Sequence, residues 1–157
     1  MSNEIIRRKI SLINAKKVMA DFTYLELIKF EEYDSPWLEL FESKLKEFRK
    51  IDSKPTYVKP IGDIKNNTIL WIENSLSFFK EKKEWFIVVP KCTEPVWANV
   101  HVMDYIKAIE ELWTKSELNS FLIADKSTGT IVQIFFEEKY YEIHVGKCDI
   151  TLLKENH

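Results

Sequence analysis

Glycine is scarce in this 157-residue chain, present only at 62, 129 and 146. Neither the GxGxxG nor the GxxxxGK[ST] pattern can be written with those three positions, which excludes the glycine-rich loops that cradle phosphates. The two cysteines, Cys92 and Cys148, lie far apart and lack CxxC spacing. They read as small buried hydrophobes in a reducing compartment. No apolar run approaches the roughly 20 residues of a membrane span. The opening "MSNEIIRRKISLINAKKVMADF" holds basic residues but lacks the continuous apolar stretch of a secretion signal. A cytoplasmic protein is expected. A formal net charge of -2 provides no general field to draw in nucleic acid or an anionic membrane, so neither is an expected partner.

What is present is a globular composition, 45% hydrophobic and 31% charged, long enough for one domain with a proper core. Aromatics reach 13%, with five tryptophans. Side chains of that size either fill the core or wait on the surface for a partner.

Hydrophobic periodicity predicts helix over residues 3 to 33, interrupted at "DFTY", with Ile6, Ile10 and Ile13 on one face and Arg7, Arg8, Lys9, Lys16 and Lys17 around the rest. In "DSPWLELFESKLKEFRK", Asp34 or Ser35 can cap, Pro36 suits the first turn, and Trp37, Phe41, Leu45 and Phe48 form a stripe. The prolines and glycine of "IDSKPTYVKPIGD" predict a linker or an exposed extended segment. A further helix follows, with Ile69, Ile72, Leu76 and Phe79 on its buried side. "EWFIVVPK" has the continuous apolar run of a strand buried on both faces. "CTEPVWANVH" reads as a loop or a short edge strand, since Pro95 argues against a central place. Helical spacing returns through Val102, Ile106, Ile109 and Trp113.

The stretch "SFLIADKSTGTIVQIFFEEKYYEIHVG" reads as a three-stranded meander, with Gly129 available for positive φ. In its last strand Tyr141, Ile143 and Val145 oppose Tyr140, Glu142 and His144. The tail "KCDITLLKENH" has the look of one more short strand. The expected fold is α+β: one domain over 1–157, helical in 1–82 and sheet-containing in 84–150, with helices on one face of a mostly antiparallel sheet of about four to five strands. The strand at 85–91, the helix at 102–115 and the strand at 120–125 would form one crossover unit if those strands were parallel.

Catalytic signals are weak. His101 stands near a helix start with Asp104 three residues on, and His144 shares a strand face with Glu142. Either pair allows a small, metal-dependent or hydrolase-like site, but capping and cross-strand pairing explain them more simply. Cys92, Cys148, His101 and His144 would meet the ligand count of zinc, although no spacing demands it. Glu110–Glu111 and Glu137–Glu138 are adjacent, so each pair diverges and does not converge on one substrate. No catalytic residue, metal or cofactor is therefore assigned. Protein binding remains. Trp97, Glu137, Glu138, Tyr140, Glu142 and His144 are the candidate partner-binding residues, because aromatic and charged groups on a rigid sheet are interface material.

The run from "EWFIVVPK" through "YIKAIEELW" to the meander resembles the small α+β immunity proteins of bacterial toxin systems, the SUKH-like group and those of contact-dependent growth inhibition. The resemblance covers about the C-terminal half. It implies a cytoplasmic, non-enzymatic protein that binds one cognate toxin domain and occludes its active site or substrate path. A small enzyme sited near His101 or His144, or a homodimeric ligand-binding or scaffold protein, are the alternatives.

Overall fold

The computed structural model describes residues 3–60, 65–116, 120–137 and 139–155. Its elements run α1 (Asn3–Ala20), β1 (Leu25–Phe30), α2 (Pro36–Phe48), β2 (Tyr57–Pro60), α3 (Lys65–Ser75), a single 3-10 turn (Ser77–Phe79), β3 (Glu84–Val88), β4 (Trp97–Val102), α4 (Tyr105–Lys115), β5 (Phe121–Asp125), β6 (Thr130–Glu137), β7 (Tyr140–Lys147) and α5 (Thr151–Glu155). All seven strands join one sheet in the order β1-β4-β3-β5-β6-β7-β2, and every pairing is antiparallel. The fold is α+β, with more strands than the four to five expected.

Two of the extra strands lie inside the stretch read as helical. β1 sits at one edge against β4, and β2 sits at the other against β7. β4 itself is internal, between β1 and β3, because Pro95 stops just short of it and leaves every ladder donor free to pair. Helix α4 begins only at Tyr105, so Val102 belongs to a strand. The crossover is also displaced. β3 and β5 are antiparallel neighbours, and α4 instead links β4 to β5 across β3. The tail forms the short helix α5 and no strand.

β3 explains the layering. Trp85, Phe86 and Ile87 are all fully buried, and successive side chains face opposite ways. Trp85 and Ile87 join the larger core with Ala15 and Met19 of α1, Ile72 and Leu76 of α3, and Ile109 and Leu112 of α4. The Glu111 carboxylate ties that layer together by accepting from the Thr23 and Tyr24 amides at 2.9 and 2.7 Å. Phe86 faces the other way, into a second core formed with Phe41, Leu45 and Phe48 of α2. Helices thus cover both faces, where one covered face was expected.

The stripe expected on α2 is the buried one. Ser35 caps it by accepting from the Trp37 amide, and Pro36 occupies its first turn. Trp97, expected at a partner surface, is 7% exposed and stacks on Phe41 at 4.7 Å between ring centroids. Alternation along β4 turns it toward α2, a direction that proline-flanked sequence does not reveal. Gly129 has the expected positive φ of 78° and admits nothing larger, because a Cβ there would stand 2.8 Å from the Cys148 carbonyl oxygen.

Two stability measurements test this layering. Trp97→Ala should cost about 3–5 kcal/mol in denaturant unfolding, the range for an emptied aromatic site, where a surface residue would cost little. Glu73, on α3, has its pKa raised above 4.5 by burial and then by Glu110, with Lys107 opposing. One of its oxygens is buried without a hydrogen-bond partner. A raised carboxyl pKa means the folded state binds the proton more tightly, so its contribution is most favourable below the ordinary value and is lost as pH rises through the raised one. Glu73→Gln should therefore raise the melting temperature at neutral pH and give no gain in acid below the ordinary carboxyl range.

Candidate functional site

One helix does not span a seven-stranded face. α2 ends at Phe48, and the chain returns through 49–56 to enter β2. The return is pinned at both ends. Ser53 Oγ donates to the Phe48 carbonyl at 2.7 Å, and the Thr56 amide donates to the Ile143 carbonyl at 2.8 Å. Between this segment and the sheet lies an open cleft of about 530 Å³. Gly146 brings the walls together, since a Cβ at that position would stand 2.9 Å from Phe48 Cζ and 2.8 Å from Lys44 Cδ.

Antiparallel register places the cleft's polar groups in rungs. Gln133 pairs with His144, and Phe135 with Glu142, which pairs in turn with Val58 of β2. Glu137 pairs with Tyr140, which pairs with Pro60. Residues paired this way share a face, here the α2 face. His144 is 2% exposed, its ring stacked on Phe135 at 5.0 Å and tilted against Phe48 at 5.4 Å. Its Nε2 stands 3.1 Å from Glu142 Oε1, a pairing in which Nε2–H donates to the carboxylate. The opposite rim carries the exposed Arg49, Lys50 and Ile51.

Three expected partner-binding residues, Glu137, Tyr140 and Glu142, therefore lie together. Tyr140 is 46% exposed, Glu137 is exposed and Glu142 is half-buried. His144 is next in the row but serves as the cleft's buried floor, because Phe48 closes over a strand face that sequence alternation alone marked as wet. Trp97 is elsewhere, in the α2 core, and Glu138 lies outside the described residues. The 49–55 segment and Gln133 were not anticipated. Gln133 gave one signal: it is the lone amide in the apolar strand "TIVQIFF".

The alternative chemistries do not assemble. Among the described residues, no group of three or more His, Cys, Asp or Glu side chains could hold a metal ion. Cys148 belongs to the α2 core and Cys92 packs against the other one, so the four conceivable zinc ligands stay apart. Burial pushes the Cys148 thiol up to about 11 and raises that of Cys92, so neither supplies a ready thiolate at neutral pH. Asp104 accepts the Lys107 amide at 3.0 Å as the cap of α4, and His101 stands exposed on β4.

Comparison with known proteins gives no match by family model, by curated sequence or by solved structure. No helix among the described residues is long and apolar enough to cross a membrane.

The enclosure of His144 is open to direct labelling. Diethylpyrocarbonate should modify His101 readily in the native protein and spare His144. Phe48→Ala should destabilise the fold by about 3–5 kcal/mol and make His144 reactive in the fraction that remains native, read by peptide mass mapping.

Proposed function

We propose that this chain is a protein-binding module of the immunity type, which neutralises a toxin domain by docking it over the open end of the α2 face. The observation that carries the reading is the pair of outer rungs, Phe135–Glu142–Val58 and Glu137–Tyr140–Pro60, set on paired strands beside the cleft. Aromatic and aliphatic groups supply area that loses little entropy on docking, because the sheet already holds their backbones. The carboxylates of Glu137 and Glu142 add a negative field that speeds encounter with a basic surface. Toxins that act on nucleic acids need basic clefts, so an acidic aromatic patch suits one of them. Occlusion asks for no chemistry from the binding protein, only a complementary surface of standard interface size, about 800 Å² per partner.

A hydrolase is the second reading, and the His144–Glu142 pair at the edge of a cleft is what favours it. The arrangement suits structure better than turnover. The imidazole is sandwiched between two rings, and Ser53, the hydroxyl lining the same cleft, gives its hydrogen to a backbone carbonyl. A general base needs access to the proton it removes.

Native mass spectrometry of the tagged protein, purified gently from its own host, is the first test. A stoichiometric second protein whose isolated domain arrests growth is expected, and co-expression of this chain should restore growth. Tyr140→Ala with Glu137→Lys should weaken that complex by about 30-fold or more, the loss typical of a hot-spot residue, with little change in melting temperature. A variant that protects as well as the wild type removes this surface from the proposal. A monomer bearing only a small molecule would turn attention to the His144 cleft as a catalytic site.

A further inference from the structure

Helix α1 carries two apolar faces. Ala15 and Met19 are buried in the larger core, with Leu12 and Val18 packed beside them. Ile6, Ile10 and Ile13, spaced i, i+4, i+7 on the opposite side, are 44%, 53% and 56% exposed. Around this outer stripe stand Arg7, Lys9, Lys16 and Lys17, all exposed, and none forms an ion pair among the described residues. Charge is strongly segregated. α1 holds five basic residues and one acidic residue, Glu4, so it is +4, and the remaining 18 basic and 24 acidic residues make the rest of the chain -6. The total of -2 conceals this division.

We propose that the outer face of α1 is a docking surface for an anionic lipid bilayer, an interaction independent of the protein-binding role assigned above. Three isoleucines along a helix already anchored to the domain form a ridge that enters the headgroup layer, while the flanking long cationic side chains reach lipid phosphates from either side. A second copy of the chain fits this face poorly, because a two-fold pairing of α1 with α1 would set Lys9, Lys16 and Lys17 against like charges. A protein groove fits less well than lipid, because the stripe has no Trp or Tyr anchor and is bordered by lysine, which protein interfaces disfavour. Nucleic acid would leave the isoleucines against a charged backbone. An anionic headgroup layer answers both the cations and the apolar ridge, and it would hold the acidic remainder of the molecule away from the surface.

Vesicle co-sedimentation of the full chain tests this, using phosphatidylcholine alone and phosphatidylcholine with one-third phosphatidylserine. The wild type should bind the anionic vesicles at least about tenfold more strongly, and binding should weaken as salt rises. Each cation beside such a surface contributes about fivefold, so Lys9→Glu with Lys16→Glu should reduce partitioning by more than about 25-fold. Ile10→Ser with Ile13→Ser should reduce it as well, and Lys147→Glu, on β7, should leave it unchanged. These positions are exposed, and unchanged melting temperatures would show that the variants stay folded. Absence of anionic binding, or equal binding by all variants, overturns the proposal. So does a concentration-dependent dimer, by sedimentation, that the Ile10→Ser/Ile13→Ser variant abolishes, since the occupant would then be a second copy.

Discussion

The burial of β3 on both faces organises this molecule. Trp85, Phe86 and Ile87 leave the strand no wet side, so an apolar layer must close over each face of the sheet. On one side α1, α3 and α4 share that task. On the other α2 acts alone. Six inter-strand spacings make the sheet about 29 Å wide, whereas a helix with its side chains is about 10–12 Å across. A single helix therefore shields the middle and leaves both flanks of its face open. One flank carries Glu26, His101 and Glu84 in a row across β1, β4 and β3. The other is the β6–β7–β2 end with the cleft.

The polar groups of the cleft follow from that partial cover. Where α2 covers the sheet, the facing residues are Phe86, Trp97, Ala124 and Ile131. Where its last turn gives out, they change to Gln133 and His144, and beyond them to Glu142, Glu137 and Tyr140. His144 sits at the transition, touched by the final aromatic of the helix and hydrogen-bonded to the first carboxylate outside. Burial of a polar ring is expensive unless it is paired, and Glu142 supplies that pairing.

The parts of the fold legible in sequence are those whose pattern is local. α2 shows a cap, a proline and an unbroken stripe, and the apolar run of β3 reads directly as a doubly covered strand. β1 hides because its register shifts between Leu27 and Lys29, and that bulge breaks the alternation by which a strand is recognised. β2 hides because "YVKP" is an exposed edge with no buried side and a proline at its end. Residues 137, 140 and 142 were legible as one polar row, since alternation alone groups the last two and the hairpin turn adds the first. The burial of His144 was not, because it depends on Phe48 from a helix distant in the chain. The outward turn of Ile6, Ile10 and Ile13 was hidden for a related reason: periodicity reports that a face is apolar without reporting which way the helix is rolled.

The outermost strands are also the ones that wait longest for their partners. The Thr56 hydroxyl that steadies the return segment accepts from the Val145 amide, 89 residues further along the chain. β1 similarly finds its neighbour only when β4 has been made. At a synthesis rate of about 5–20 residues per second, the cleft's outer wall exists for roughly 4–18 s before the strand that completes it. During that interval α1 has already emerged with both of its apolar faces uncovered. The strands that frame the cleft are thus late arrivals in assembly, joined across long sequence separations after the hairpins of β3–β4 and β5–β6–β7 have local contacts to form. A nascent chain displays its helical surfaces well before it possesses a sheet to hold them.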